Sequence, residues 1–186
     1  MREPITVSGV LRVTEHKFNR VLTPHELVTA IQQGFARPVV RSNMVVDVGL
    51  DALVALLGGG QGNPVVGGTV ITPATFRDLA IEEMRITEQV APTAPASTDT
   101  ALVGAPVWTF NIQPGIDDGT LLMTYPGTGQ IKCSGLVPIG DLNGKTLTEE
   151  GLFTFNGKLI ARTTFSKPKT AAFALQFDHT LTLARA

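Results

Sequence analysis

The chemistry open to this chain rests on three histidines, one cysteine and a few clustered carboxylates. His179 is the most suggestive, because it interrupts the apolar face of a strongly alternating C-terminal segment. There it would be either a buried base or ligand, or a hydrogen-bonded histidine in a core or at a subunit contact. No motif places a nucleophile beside it, so the second role is the expectation. His25 falls in the first turn of a helix, where positive charge is disfavoured, and reads as a neutral surface residue. His16 follows a strand and has no carboxylate or cysteine at ligand spacing. Glu149-Glu150 offers two carboxylates for acid–base work. Adjacent strand residues point to opposite faces, so the two cannot share one site.

Asp117-Asp118-Gly119 lacks the alternate-position ligands of a calcium loop and reads as a turn. Gly58-Gly59-Gly60 is followed by no lysine and is not a phosphate loop. Cys133 is the only cysteine, which excludes an intrachain disulfide and a multi-cysteine zinc site. It reads as a small apolar residue inside a strand. The sequence therefore predicts no catalytic, cofactor-binding or metal-ligating residue. It does not read as an enzyme.

Composition narrows the partners. Fifteen basic against sixteen acidic residues give a net charge of -1, with no basic excess to neutralise phosphates or an anionic membrane. Nucleic acid and membrane are not expected partners, and neither is a small-molecule ligand. The longest apolar run, around Leu50 to Leu57, is far short of the ~20 residues that span a bilayer. Met1-Arg2-Glu3-Pro4 opens no apolar stretch of the signal-peptide kind, so synthesis in the cytoplasm is the expectation. Charged residues make up 17% of the chain against a typical ~25%, as on a surface partly covered by a partner. At 186 residues a single core suffices without staples.

The elements that would position these groups are mostly strands. Residues 1 to 20 alternate as a strand. Thr23-Pro24-His25-Glu26 is a capping box with proline at the first helical position, and Leu27, Val28 and Ile31 continue it as a helical stripe that Gly34 ends. A second helix is predicted over 46 to 57, with Val46, Leu50, Leu53, Val54 and Leu57 on one face. Gly58 to Gly68, with six glycines and a proline, reads as a loop. A strand is predicted over 75 to 87, containing Leu79 and Ile81. Ala91 to Asp99 is small, polar and proline-bearing, and should lie extended over a surface.

From Val107 onward the pattern is antiparallel β. Strands at about 107 to 112, 120 to 125, 130 to 137, 145 to 155 and 158 to 165 are separated by glycine, proline and aspartate turns. Asn156-Gly157 is the strongest hairpin signal. In the last strand Phe173, Leu175, Phe177, His179, Leu181 and Leu183 face one way and Ala174, Gln176, Asp178, Thr180 and Thr182 the other. The fold class predicted is mainly β, an antiparallel sandwich or barrel-like body with two short N-terminal helices. Residues 1–42 read as an N-terminal strand and helix that dock on a neighbour, and 43–186 as the β body.

Three segments resemble a family of small bacteriophage tail and tail-fibre-associated proteins. They are Asn43 to Leu53 running into Gly58-Gly59-Gly60, then Ala91 to Leu102, then Leu142 to Phe153 continuing through Gly157 to Phe165 and Lys169-Thr170. Many members carry Gly-Thr-Gly before the second segment, where this chain has Ile86-Thr87-Glu88. The resemblance implies a virion structural protein at tail, baseplate or fibre anchor, assembling as a trimer or ring with copies of itself and with other virion proteins. Apolar residues on both faces of one strand, Leu152, Phe153 and Phe155, together with Leu27 and Ile31 of the helix, are the expected subunit contacts. A capsid decoration or head-fibre protein, and a receptor- or carbohydrate-binding module, are the alternatives. The last is weakened by Trp108 and Tyr125 being the only tryptophan and tyrosine.

Overall fold

Period-two alternation carries most of the chain into one sheet. The computed structural model describes residues 5–47, 49–50, 65–66, 69–70, 80–88 and 91–185. Its elements are β1 (Ile5–His16), α1 (Pro24–Gln32), β2 (Ala36–Val45), β3 (Val65–Val66), β4 (Thr69–Val70), β5 (Ile81–Thr87), β6 (Pro106–Asn111), β7 (Gly119–Thr120), β8 (Leu122–Thr124), β9 (Gln130–Val137), β10 (Thr146–Thr154), β11 (Leu159–Pro168) and β12 (Ala174–Arg185). Ten strands form one sheet in the order β7-β6-β5-β10-β11-β2-β1-β12-β9-β8, while β3 and β4 pair only with each other.

The two ends of that order are joined by a single residue. β7 pairs in parallel with β6, and β8 pairs antiparallel with β9. Leu121 lies between them, buried, its N–H donating to Asn111 O at 2.7 Å. One short segment thus serves both edges and draws the sheet into a nearly closed barrel, leaving little free edge there. The sheet is loosest elsewhere. β11 and β2 share only the pairs Ala161–Val45 and Arg162–Met44, so from Ala36 to Asn43 β2 has β1 as its one ladder neighbour among the described residues.

The mainly β prediction is correct, and the barrel is the form it takes. Two details differ. The 42/43 boundary falls inside β2, and β1 lies between β2 and β12 in the sheet, so β1 and the first part of β2 are barrel wall, with α1 between them. Also, α1 is the one helix described in full. The second helix predicted over 46–57 falls mostly outside the described residues, although Gly49 and Leu50 N–H both donate to Val46 O as in a first turn. The 58–68 loop and the 75–79 part of the next predicted strand likewise lie largely outside them.

Helix α1 begins as its sequence requires. Glu26 Oε2 accepts from Thr23 N at 2.8 Å, and Thr23 Oγ1 accepts from Glu26 N at 3.4 Å. Arg20, and then the Thr23 amide and hydroxyl, hold the exposed Glu26 carboxyl at about 2. Leu22, Leu27, Ala30 and Ala36 form a small separate cluster beneath the helix.

The barrel interior is filled by apolar side chains, among them Leu11, Met84, Phe110, Leu152, Phe165 and Phe177. Phe177 sits 6.1 Å from the Phe110 ring and 5.9 Å from Phe165, contacts of the tilted kind that add ~0.5–1.5 kcal/mol each beyond burial. A side chain on Gly135 of β9 would meet Phe110 at 2.7 Å, so that glycine is what lets the ring cross toward β9. Register in β12 is as its alternation demands: Leu175, Phe177, His179 and Leu181 are buried on one face.

Candidate functional site

Glu149 and Glu150 are both fully buried, on opposite faces of β10, each the anchor of a separate polar centre. The inner centre lies inside the barrel. Nδ1 of His179 on β12 meets Glu150 Oε2 at 2.8 Å and Oε1 at 2.9 Å, and Nε2 contacts the side-chain amide of Asn43 on β2. Neither the imidazole nor the carboxylate has any solvent exposure. With Nδ1–H donated to the carboxylate, Nε2 is the acceptor for the Asn43 amide, so both ring nitrogens are engaged. A side chain on Gly9 of β1 would collide with the Asn43 amide, so this glycine makes room for it.

Cys133 stands directly across the β9–β12 ladder from His179. Cysteine, histidine and glutamate together have the composition of a nucleophile triad, but the chemistry requires a thiolate. Burial, reinforced by the Glu150 charge, pushes the Cys133 thiol up to about 12. At neutral pH it is a neutral apolar filler. The inner centre ties β10, β12 and β2 together across the core, and this cross-barrel strut was not foreseen as a network from the sequence, although a hydrogen-bonded core histidine was.

The outer centre is built on Arg162 of β11, whose side chain is 1% exposed. Its Nε donates to Glu149 Oε1 at 2.6 Å, Nη1 to Asp99 Oδ2 at 2.6 Å, and Nη2 to Thr93 O at 3.0 Å. Glu149 also accepts from Val103 N at 3.0 Å, Gly104 N at 3.2 Å and Thr87 Oγ1 at 3.2 Å. Burial disfavours the guanidinium charge, but the Asp99 and Glu149 carboxylates outweigh it and hold the group above its ordinary value. Asp99 is held below its ordinary value, burial being outweighed by the Ala96 amide and Arg162. The consequence is mechanical: Thr93, Asp99, Val103 and Gly104 belong to one irregular stretch, which these bonds strap over β10 and β11. The small polar segment predicted to lie extended over a surface does lie over one, but it ends in a turn in which Asp99 N donates to Ala96 O at 3.1 Å.

Gly151 explains the fit of that strap. A methyl group there would fall 2.9 Å from Leu102 Cδ2 and 2.9 Å from Leu159 Cδ1. Leu102 packs with Val46, Phe153 and Leu159 in a cluster of its own.

Gln176, His16 and Lys169 are further buried polar groups. Gln176, on the outer face of β12, accepts from Leu22 N at 2.7 Å and donates to Leu22 O at 3.1 Å, pinning the segment before α1. His16 ends β1 beneath that segment, and burial pushes its imidazole below the ordinary value. Lys169, 1% exposed, donates to Thr170 O at 3.0 Å, Ile139 O at 3.1 Å and Asn143 Oδ1 at 3.2 Å. Three oxygens match the three protons of an ammonium, so Lys169 acts as a brace between loops, though burial still lowers its basicity.

The expected subunit-contact residues separate sharply. Leu27, Leu152 and Phe153 are buried by their own chain, in the helix cluster, the barrel core and the strap cluster. In this conformation a second subunit cannot reach them, and that assignment is corrected for the three. Ile31 is half-buried and Phe155 is exposed. Among the described residues no group of three or more His, Cys, Asp and Glu is placed to hold a metal ion, and no helix is long and apolar enough to cross a membrane. A groove of about 350 Å³ runs between residues 18–22 and α1, lined in part by Phe18, His25 and Gln33, and is bridged by the Arg20–Glu26 pair. No protein-family model, characterised protein or solved structure matches the chain.

Proposed function

We propose that this chain is a structural component of a bacteriophage virion, placed at the tail, baseplate or fibre anchor, and acting by contact with copies of itself and other virion proteins. One observation carries the reading. His179, Glu149, Glu150, Arg162 and Lys169 are spent inside the fold, as struts, straps and braces, while apolar side chains remain exposed on the walls and turns, including Val10, Val40, Ile116, Tyr125 and Phe155. A barrel with a filled interior offers a partner its outside. The order of the three resembling segments supports the virion assignment.

Carbohydrate recognition draws less support. Tyr125 is 77% exposed and stands as a lone platform, whereas Trp108 packs against Phe110 with ring centroids 6.2 Å apart and borders the core.

The test is localisation. Antibodies raised against the purified chain should label intact particles at the tail, and cryo-electron microscopy should place its density there in several symmetry-related copies. Density on the head would replace this reading with a decoration protein. Particles without the chain would end it.

A further inference from the structure

The walls of the barrel are not equally joined. The β1–β12 ladder runs unbroken from Ile5–Arg185 to His16–Ala174, and β12–β9 from Leu175–Val137 to Thr182–Gln130. Between β2 and β11 only Val45–Ala161 and Met44–Arg162 pair, followed by a bond from Val46 N to Ile160 O at 3.0 Å. From Asn43 back along β2, and from Thr163 onward along β11, no ladder pair joins the two strands. β6 and β7 share as short a ladder, but there the chain itself runs across the closure through Leu121. Pro38 lies in the parted stretch of β2, where a residue without an N–H leaves no ladder bond unmade. A side-chain tie spans the gap: Lys167 Nζ of β11 reaches past β2 to Glu15 Oε2 of β1 at 3.0 Å.

Behind this seam lies the inner centre, and it is incompletely satisfied. Asn43 and Thr163 are the first residues past the last ladder pair, Met44–Arg162. Asn43 Oδ1 and Thr163 Oγ1 are both buried and have no hydrogen-bond partner among the described residues. Thr163 stands across the ladder from Glu150, and the Asn43 amide touches His179, so both residues border the inner centre. A buried oxygen without a partner costs free energy in a shut barrel, and hydration relieves it. Parting β2 from β11 thus loses two ladder pairs and returns water to two such oxygens. The Glu150–His179 bond meanwhile ties β10 to β12, one on each side of the seam, and keeps the other walls from following.

We infer that the barrel opens along the β2–β11 seam: the two strands part, water reaches the inner centre, and the longer ladders and the Glu150–His179 strut hold. The motion is local and reversible, and exposes far less surface than unfolding does. It stands apart from the virion reading and needs no partner.

Cys133 makes the opening measurable on the full chain. It is the only cysteine, is fully buried, and stands across the β9–β12 ladder from His179. Alkylation by iodoacetamide, read by mass spectrometry of the Cys133 peptide, should proceed in native buffer with little dependence on low concentrations of denaturant. Lys167→Ala removes the tie and should speed it about threefold. Lys145→Ala breaks the pair with Glu88, away from the seam, and should leave it unchanged. Val45→Cys with Ala161→Cys, oxidised across their ladder pair, should slow it about tenfold or more against the same protein reduced. Wild-type alkylation that follows only global unfolding, with the full denaturant dependence of that transition, overturns the inference. Rapid alkylation that the cross-seam disulfide does not slow also overturns it, by placing the opening in another wall. The wild-type denaturant dependence decides the question if a variant misfolds.

Discussion

Glu149 and Glu150 are neighbours in the chain and do opposite things. Glu150 looks inward to one histidine, which in turn has one asparagine; Glu149 looks outward to an arginine, a hydroxyl and two backbone amides. The inner centre is a pair enclosed by apolar atoms, whose two members chiefly serve one another. The outer centre is a hub that holds 93–104 on the barrel, and each of its groups has several dependants. A buried pair of the first kind is replaceable in principle, because removing both partners leaves only the half-buried Asn43 amide without its acceptor. A hub is not, because no single companion change satisfies everything it binds.

The largest effect should follow Arg162→Ala. It leaves Glu149 buried and uncompensated beside Asp99, a loss on the order of 3–5 kcal/mol. Denaturant unfolding should show that loss, and amide exchange should rise across 93–104 before the barrel strands open. Exchange that stays uniform would mean the strap is not held by the hub. The inner pair comes next. Glu150→Leu alone strands the His179 ring and should cost ~1–3 kcal/mol. Adding His179→Leu should recover part or all of it, so the double-mutant cycle gives a large coupling energy. If the two losses simply add, the inner centre is a hub as well, and the contrast collapses. A smaller effect is expected from Gly151→Ala, which presses on the mobile ends of Leu102 and Leu159: roughly 1 kcal/mol, with extra exchange confined to the strap.

The same contrast explains what could be read in advance. That Glu149 and Glu150 part company follows from strand geometry alone, and it held. That β12 buries Leu175, Phe177 and His179 together follows from period two. The capping box of α1 is local and was legible to the atom. What stayed hidden depends on which strands close on one another. Nothing in sequence spacing joins Arg162 to Asp99, or His179 to Asn43, 136 residues away. Barrel closure at Leu121 was equally opaque, because a strand shared between two edges reads as one ordinary strand of about 120 to 125. Leu152 and Phe153 were assigned to a partner because apolar residues on both faces demand two covers. The second cover turned out to be the chain's own strap.

His16 offers the mildest test, and it probes a third kind of buried polar group, one that stays neutral. Its nearest enforced contact is Phe18 N, which donates to Nδ1 at 3.2 Å, and burial outweighs the Gln176 and Asp178 contributions that would raise it. The folded state thus binds this proton less readily than the unfolded chain, whose histidine titrates near ~6.5. Stability should be constant above that value and fall as the pH drops from it toward the lowered folded value, with a slope of at most ~1.4 kcal/mol per pH unit from one site. His16→Gln, which keeps a polar side chain and removes the titration, should flatten the melting temperature between about pH 7 and 5 relative to wild type. An unchanged slope would mean that His16 is not the source of the acid sensitivity.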